Sequence, residues 1–378
     1  MNKQIYDSNL IQVKSFNRID DYRDNFSLIK SVDTDLIYGN PFAVVNPILS
    51  VIIPTYRRSD TFCDALKSIL AQQPTKIVWE CLIIDNTELD ETGNTSALKE
   101  VKKHNNPHIL YYHNSHNIGP GYNWNRGVEL ARGQWICFLH DDDVLCTDAL
   151  QQIERMLKMG RKSKSDLGYL NARRVDFQGA FESHCSNEYP HFPQEVLTRF
   201  GVLACGHTSA GAPTCGTTIL KKAYMEAGGI NYDFGPSADA VLCYQIMKNY
   251  TVVNSDCILG GYRWSDNAML NVESLLNCIR ADDLLMNYVY KQSKFAQLWG
   301  KWFADAISWR NVWRKNNIAR TYHKEISRED FEKASLYPEP SEVKKSVYLL
   351  MYAIYRTLRY LAGYIATAFN RIRIQTDD

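Results

Sequence analysis

The sequence predicts an α/β fold in which a mostly parallel sheet lies between two layers of helices. Four short apolar runs alternate with segments of helical periodicity between residues 47 and 145. This alternation is typical of parallel sheets, whose crossover connections place helices on both faces. Most of the runs are continuously apolar, as strands buried on both faces require. Three of the four end in polar clusters, so we expect a ligand site at the carboxyl edge of the sheet.

Composition and charge exclude several classes of protein. The 378 residues are 45% hydrophobic and 22% charged, with a formal net charge of +1, which gives no reason to expect nucleic acid as a partner. We expect no transmembrane helix, because no run reaches the ~18 apolar residues that such a helix needs. The N-terminus lacks the apolar core of a signal peptide. Ten cysteines without a C-x-x-C pair favour reduced thiols and a cytoplasmic location.

The composition also divides the chain into three parts. Residues 1–46 are polar with short apolar runs, and we expect an N-terminal extension draped over a later domain. Residues 47–270 carry the alternating pattern and form the predicted α/β domain, with one half over 47–160 and the other over 161–270. Residues 271–378 have helical periodicity.

The first strand follows Pro47 as I-L-S-V-I-I-P, and we expect Pro54 to end it because proline cannot donate to a sheet ladder. Ser59 or Asp60 then caps a helix. Positions three and four residues apart predict the face that this helix buries. That face comprises Cys63, Leu66, Ile69, Leu70 and Gln73.

Two further strands and a glycine-rich loop precede the fourth strand. The second strand, Val78–Ile84, ends in Asp85 and Asn86, and the third strand covers His108–His113. The loop N-I-G-P-G-Y-N-W-N-R-G then leads into a helix that we expect to end at Gly133. The second half of the domain adds a strand over Leu167–Val175, which we expect to begin a switch toward mixed strand directions.

The fourth strand ends in an acidic triplet, which is the strongest functional signal in the chain. The apolar run Trp135–Leu139 leads directly into His140, Asp141, Asp142 and Asp143. Three adjacent carboxylates at the end of a core strand repel one another unless a positive group compensates them. Mg²⁺ is often held by one or two carboxylates together with substrate phosphates. From these residues alone, a metal site and a solvated acidic turn remain equal alternatives.

Taken together, the motifs resemble a known family. The segments V-I-I-P-T-Y-R-R, L-I-I-D-N, N-I-G-P-G-Y-N-W-N-R-G and G-Q-W-I-C-F-L-H-D-D-D-V-L occur in the order seen in family 2 glycosyltransferases, which have the GT-A fold. The resemblance is strong over residues 48–160 and weaker to about 265. It implies a Rossmann-like, mostly parallel mixed sheet flanked by helices. It also implies inverting transfer of a sugar from a nucleotide-diphosphate donor, here expected to be linked to UDP.

The resemblance implies roles for individual residues. Asp141–Asp143 cover the family's D-x-D motif, with Asp142 and Asp143 holding a divalent cation, Mn²⁺ or Mg²⁺. Asp239, in the first turn of a helix, corresponds to the catalytic general base. Arg263 and Trp264 are candidate contacts to phosphate and sugar. The donor-binding set implied by the family comprises Pro54, Thr55, Tyr56, Arg58, Asp85, Asn86, Asn117, Gly119, Asn125 and Asp141.

Three positions depart from the family pattern. His140 stands where a fourth carboxylate is common, and we interpret it as a hydrogen-bonded residue at the strand end rather than a metal ligand. Trp124 replaces a basic residue that helps to orient the acidic cluster or the phosphates. Ala238 replaces the glutamate that usually precedes the residue aligned with Asp239. These departures leave the donor geometry and the role of that glutamate open.

The resemblance also suggests partners and a place in the cell. Family members of this kind often use glycan or lipid-linked acceptors in bacterial surface polysaccharide biosynthesis. A basic amphipathic helix predicted over residues 341–374 favours peripheral contact with the inner face of the cytoplasmic membrane. The same helix could pack on the domain or pair in a homo-oligomer. The alternative functions are a nucleotidyltransferase with a similar metal site and a non-catalytic scaffold protein that docks on membranes.

Overall fold

The computed structural model describes residues 24–162, 167–177, 195–197, 215–231, 234 and 238–263. It also describes parts of 272–288, residues 326–335, and residues 350, 353, 354 and 357. Trp264 and most of the amphipathic helix predicted over 341–374 lie outside the described residues. Within the described part of the chain, no helix combines the length and the apolarity that crossing a membrane requires.

A mixed sheet of ten strands forms the centre of the fold, and helices cover its two faces. The strands are β1 Thr34–Tyr38, β2 Leu49–Thr55, β3 Trp79–Asp85, β4 Ile109–Asn114, β5 Trp135–Phe138, β6 Val144–Leu145, β7 Leu167–Phe177, β8 Glu195–Leu197, β9 Thr218–Leu220 and β10 Thr251–Arg263. The helices are α1 Asp60–Leu70, α2 Ser96–Val101, α3 Pro120–Leu130, α4 Ala149–Lys162, α5 Lys221–Glu226, α6 Ala238–Met247 and α7 Arg328–Ala334, with a short 3-10 helix at Ser27–Ile29.

Strand directions confirm the predicted fold class. The order across the sheet is β1-β4-β3-β2-β5-β9-β7-β10-β6, with β8 on β10. Strands β4, β3, β2 and β5 are mutually parallel, as the alternating pattern predicts. Strand β9 pairs antiparallel with both β5 and β7, so the sheet is mixed as predicted, but the reversal is made by β9, and β7, where we expected it, runs in the same direction as β5. The carboxyl ends of β2, β3 and β5 therefore lie together at one edge.

Several predicted boundaries differ from the structure. The N-terminal extension supplies β1, an edge strand antiparallel to β4 that its polar composition did not indicate. Strand β2 continues through Pro54, which pairs in register with Ile84. Helix α1 buries Phe62 and Ala65 with Leu66 and Ile69, so the predicted inner face was wrong at Cys63. Each difference reflects tertiary packing that overrides a local signal.

The core consists of two apolar layers, one on each face of the sheet. Val51 and Ile53 of β2 point to the layer containing α1, α2 and α4. Ile52 points to the opposite layer, which contains α3, α5 and α6. This alternation follows from the two-residue period of a strand. Both faces are buried, which is why β2 is apolar throughout.

The described cysteines are mostly free thiols in the core. Cys63, Cys81, Cys137, Cys215, Cys243 and Cys257 are free. Burial raises the pKa of Cys137 to about 12, which keeps its thiol protonated and unreactive. Cys146 is disulfide-bonded, so the expectation of uniformly reduced thiols is wrong at that position.

A buried ion pair joins β3 to the connection between α3 and β5. Glu80 accepts hydrogen bonds from the Ser50 hydroxyl at 2.7 Å and from the Arg132 backbone amide and Nε, both at 2.8 Å. The Ser50 hydroxyl in turn accepts the Gly133 amide at 2.8 Å. The Glu80 side chain is 1% exposed, so its charge depends on Arg132.

We expect Arg132→Ala to lower the free energy of unfolding by about 2–3 kcal/mol, because it leaves the Glu80 carboxylate buried without a counter-charge. This is less than for a fully buried pair, since Arg132 keeps 34% of its side chain exposed. Urea denaturation measures the loss. The double variant Glu80→Gln/Arg132→Ala should recover part of it; a double variant no more stable than Arg132→Ala would contradict this account.

Candidate functional site

The acidic triplet lies between β5 and β6, where pairing of β6 with β10 brings a distant segment beside it. Gly261 of β10 pairs with Val144, directly after the triplet. This register places Arg263 against the carboxylates: its backbone amide donates to Asp143 Oδ1 at 3.0 Å, and its Nε donates to the Asp142 carbonyl at 2.9 Å. The triplet is therefore held in place by two hydrogen bonds from Arg263 as well as by the strands before and after it.

The guanidinium of Arg263 has further partners that sequence reasoning missed. Its Nη2 donates to Asp64 Oδ2 at 2.6 Å, and the guanidinium carbon lies 4.7 Å from the centroid of the Phe177 ring. Asp64 stands on α1, one turn after the helix begins, with no motif to mark it. The structure thus places Arg263 as a brace between α1 and the triplet, and its contact with phosphate stays a prediction. Arg263 is the last residue of strand β10.

Thr55, the last residue of β2, and Arg58, three residues later, complete the other side of the triplet. The Thr55 hydroxyl donates to Asp141 Oδ2 at 2.8 Å. Arg58 Nε lies 4.0 Å from Asp141 Oδ1, and its Nη2 lies 3.7 Å from Asp142 Oδ2. The Arg58 side chain is 39% exposed. The structure therefore brings together four predicted residues from two neighbouring strand ends. The parallel pairing of β2 with β5 explains this convergence.

The electrostatics of the triplet show an excess of negative charge. Burial, then repulsion from Asp142, raises the pKa of Asp141 to about 6. Burial likewise raises the pKa of Asp142. Burial would lower the pKa of His140, but the carboxylates of Asp143, Asp142 and Asp141 outweigh it and the net direction is up. Each shift shows that one more positive charge at this position would be favourable.

The nitrogen and oxygen atoms around the triplet are suitable ligands for a divalent cation. One ligand atom each from His140, Asp142 and Asp143 lies within 4.8 Å of the other two. Asp143 is completely buried, and its Oδ2 has no hydrogen-bond partner. A buried carboxylate oxygen without a partner costs free energy, and cation binding removes that cost. This observation favours the metal site over the solvated acidic turn.

Asp85 is buried below the surface of the site instead of facing solvent. Its carboxylate is 0% exposed and accepts from the Thr87 amide at 2.7 Å, the Thr95 hydroxyl at 2.8 Å and the Tyr111 hydroxyl at 2.5 Å. Thr95 also caps α2 by accepting the Leu98 amide. The structure gives Asp85 a supporting role for the strand end, and the nucleobase contact implied by the resemblance stays a prediction.

A network of buried amides shapes the loop between β4 and α3. Asn114 donates to Asn86 Oδ1 at 2.7 Å and to Asn123 Oδ1 at 2.9 Å. Asn86 reaches back to the Gly119 carbonyl at 3.4 Å. Gly119 has a φ of 83°, a conformation that disfavours larger residues. Asn117, which is exposed, accepts the Gly119 amide at 2.9 Å and tightens the entry to α3.

Asn125 has buried structural contacts, and the donor contact that the resemblance implied for it stays a prediction. It is completely buried, and its Oδ1 accepts the Tyr224 hydroxyl and the Ile230 amide, both at 2.8 Å. Its Nδ2 donates to the Ile230 carbonyl at 2.9 Å. Gly229, at a φ of +78°, leaves no room for a Cβ beside the Asn125 amide. Asn125 is thus a structural bridge from α3 to the turn after α5.

The remaining predicted residues lie at the margins of this arrangement. Pro54 is buried in β2, and Tyr56 lies under the Arg57 guanidinium, 5.0 Å from ring centroid to carbon. Asp239 is half-buried in the first turn of α6, where its Oδ1 accepts the Ala240 amide at 2.6 Å. Helix α6 packs on β10, the strand that carries Arg263. The catalytic role of Asp239 stays a prediction.

Two of the departures from the family pattern are in contact with each other. The ring of Trp124 lies 5.0 Å from the His140 ring and stacks on Phe138 at 4.9 Å between centroids. An aromatic pair thus stands where a basic residue and a carboxylate are usual. The sequence marked each position separately, and only the fold shows that they meet.

Comparison with known proteins supports the resemblance to family 2 glycosyltransferases. Residues 50–210 match the family described as glycosyl transferase family 2. These residues belong to glycosyltransferase family 2. The match covers β2 to β8 and includes the acidic triplet, Thr55, Arg58 and Asp85.

Two curated relatives and one solved structure illustrate the similarity. The chain is 31% identical over 114 residues to the GalNAc(5)-diNAcBac-PP-undecaprenol beta-1,3-glucosyltransferase of Campylobacter jejuni, covering 30% of this chain and 36% of that protein. It is 28% identical over 164 residues to the succinoglycan biosynthesis protein ExoO of Rhizobium meliloti, covering 43% and 44%. The chain spans between 24% and 44% of the length of the curated relatives it matches.

The solved structure is that of S. aureus TarS residues 1–349, determined in complex with UDP. The two chains share 16% sequence identity with a TM-score of 0.50, over 85% of this chain and 91% of that one. At this identity the likeness shows the fold alone. The fold of the family 2 domain is GT-A, as the sequence motifs implied.

We expect Asn125→Ala to lower the free energy of unfolding by about 2–3 kcal/mol, because it removes the three buried hydrogen bonds that the Asn125 amide makes to the Tyr224 hydroxyl and to both backbone polar groups of Ile230. The matched variant Asn117→Ala, in the exposed loop, should cost less than about 1 kcal/mol. Chemical denaturation of both variants measures the difference. Equal losses would show that Asn125 is no more structural than Asn117.

Proposed function

We propose that this chain is a metal-dependent, inverting glycosyltransferase that moves a sugar from a nucleotide-diphosphate donor, UDP-linked, to a hydroxyl of a glycan or lipid-linked acceptor. The observation that carries the proposal is the buried Oδ2 of Asp143, which has no well-formed hydrogen bond and lies 3.3 Å from His140 Nδ1, at the sheet edge where Thr55 and Arg58 also converge. A pocket with this charge binds a cation and, through it, a diphosphate.

The comparisons are consistent with that donor and with a bacterial glycan as product. TarS, which shares the fold, binds UDP, and the Campylobacter relative is named for transfer to an undecaprenol-linked oligosaccharide. ExoO is named for succinoglycan biosynthesis. We therefore propose bacterial surface polysaccharide assembly as the process. Cytoplasmic location, peripheral membrane contact through 341–374 and homo-oligomer formation stay predictions of the sequence.

Donor binding follows from the residues around the triplet. Asp142 and Asp143 would hold the cation, which stabilises the negative charge of the leaving diphosphate when bound. Asp141 is oriented by the Thr55 hydroxyl, and we assign it to the ribose of the donor. Arg58 keeps its guanidinium partly exposed and is free to turn from the carboxylates toward a phosphate. Arg263 keeps the Asp142 carbonyl and the Asp143 carboxylate in place.

Transfer requires a base on the acceptor side. As the acceptor oxygen attacks the anomeric carbon, the bond from that carbon to the diphosphate oxygen breaks and the acceptor hydroxyl loses its proton. We assign Asp239 to take this proton. Asp239 lies in the first turn of α6, and this helix packs on β10. This position supports the assignment.

We expect Asp142→Ala to abolish the Mn²⁺-dependent part of UDP binding, because two ligands of the cation would be reduced to one carboxylate. Isothermal titration of UDP with and without Mn²⁺ measures this. The matched control is Asp148→Ala, which removes a carboxylate six positions further on, just before α4, that accepts a hydrogen bond from Gln152 Nε2. Unchanged Mn²⁺-dependent UDP binding by Asp142→Ala would contradict the metal assignment.

Asp239→Asn tests the chemical step separately from donor binding. The variant should keep the wild-type affinity for UDP and lose about 10²–10⁴-fold in kcat, the range that general base catalysis supplies. Release of UDP from UDP-sugars with a hydroxyl acceptor is the readout. Near-normal turnover would remove Asp239 as the base while leaving the donor site intact.

A further inference from the structure

His140 is the one residue of the metal cluster that the family pattern does not explain. Its Nδ1 lies 3.3 Å from Asp143 Oδ2, close enough for an ion pair. At 3.3 Å the pair is longer than a well-formed charge-assisted hydrogen bond of about 2.7–2.9 Å, and Asp143 Oδ2 has no other hydrogen-bond partner. His140 Nε2 is also buried without a partner. A histidine retained only to neutralise Asp143 would be expected to donate a well-aligned hydrogen bond.

The separation of these two atoms suits a pair of ligands on one ion. Bonds of about 2.1 Å at angles between 90° and 109° place neighbouring ligand atoms about 3.0–3.4 Å apart. The 3.3 Å between Nδ1 and Oδ2 falls within that interval. Asp142 completes the set, since one of its oxygens lies within 4.8 Å of both other ligand atoms. Asp143 is fully buried, so solvent cannot compensate the negative charge on Oδ2, and a positive group inside the cluster must do so.

We propose that His140 supplies a nitrogen ligand to the cation, making the site one nitrogen and two carboxylates. The inference rests on the proposed function, because it concerns the cation of the donor site. It revises the interpretation of His140 as a hydrogen-bonded residue at the strand end. It also bears on the class of ion: an imidazole nitrogen favours first-row transition metals, most strongly ions such as Zn²⁺, whereas Mg²⁺ prefers oxygen ligands in an octahedral set.

The contact with Trp124 fits this role. A basic side chain at that position would place a positive charge against a histidine that shares a cation. The indole ring, 5.0 Å from the imidazole, carries no charge and is itself held by stacking on Phe138. Trp124 is thus a positioning residue that limits the rotation of the imidazole. The departures at Trp124 and His140 then belong together: the family's basic residue and carboxylate are both replaced, and the aromatic pair that replaces them supplies a metal-binding nitrogen.

Pulsed EPR of the full chain with Mn²⁺ bound tests the proposal directly. Wild-type protein should show ¹⁴N modulation from a bound imidazole, and incorporation of ¹⁵N-histidine should replace it with the ¹⁵N pattern. His140→Asp should bind Mn²⁺ without this modulation. The matched control His104→Gln, a surface histidine paired with Glu100, should leave it unchanged.

Metal preference gives a second measurement. His140→Asp should narrow the ratio of the Kd for Mg²⁺ to the Kd for Mn²⁺ by about tenfold or more, since even outer partners of metal ligands are worth 10–100-fold in metal affinity. Titration of each ion in the presence of UDP measures the two constants. The ¹⁴N and ¹⁵N spectra are recorded on wild-type protein. They therefore test for a histidine ligand even if His140→Asp fails to fold.

The outcomes separate this inference from the function on which it rests. If Mn²⁺ strengthens UDP binding while the wild-type spectrum shows no histidine nitrogen, the ligand assignment is overturned and the glycosyltransferase proposal stands. If no divalent ion binds, the ligand assignment and the metal dependence both fail. A histidine signal that persists in His140→Asp would assign the nitrogen to another residue and overturn the proposal.

Discussion

The pairing of β6 with β10 is the contact on which the rest of the site depends. Two residues of β6 follow the acidic triplet immediately, and they pair with Gly260 and Gly261 of a strand more than a hundred positions away. Gly260 is needed there because a Cβ would meet the Val144 carbonyl and the Cys215 sulfur. This close approach brings the Arg263 amide to Asp143. A buried carboxylate at the end of a strand is thereby kept in one conformation, with Oδ1 hydrogen-bonded to Arg263 and Oδ2 facing His140.

Buried polar groups also join the two halves of the domain. Asn125 of α3 binds the turn after α5, and Lys221 at the start of α5 donates to the carbonyls of Glu129 and Ala131. Such contacts are worth little in net free energy when formed, yet costly when one partner is lost. They therefore specify the orientation of α5 against α3 more than they add to stability. The half that carries the proposed base and the half that carries the donor site share this boundary.

The sequence predicted the order of elements well and individual side-chain roles less well. The strands β2 to β5 follow from continuous apolar runs, and the edge where Thr55 and Asp141 meet follows from their parallel arrangement. Burial was harder to predict. Asp85 and Asn125 belong to motifs of the family, but both lie inside the core with their polar atoms engaged. Motif membership marks a position in the fold; it does not say whether the side chain reaches solvent.

Local pattern by itself determined the α/β class, the family and the acidic cluster, because each depends on residues close together in the chain. Tertiary structure decided which groups of that cluster have partners. Arg263, Asp64 and Trp124 come from three separate elements, and no local signal shows that they surround the triplet. The contact of Trp124 with His140 turned two unrelated departures into one coordinated change. Side chains far apart in sequence affect the same carboxylates because electrostatic free energy and burial depend on distance in space, which the sequence does not state.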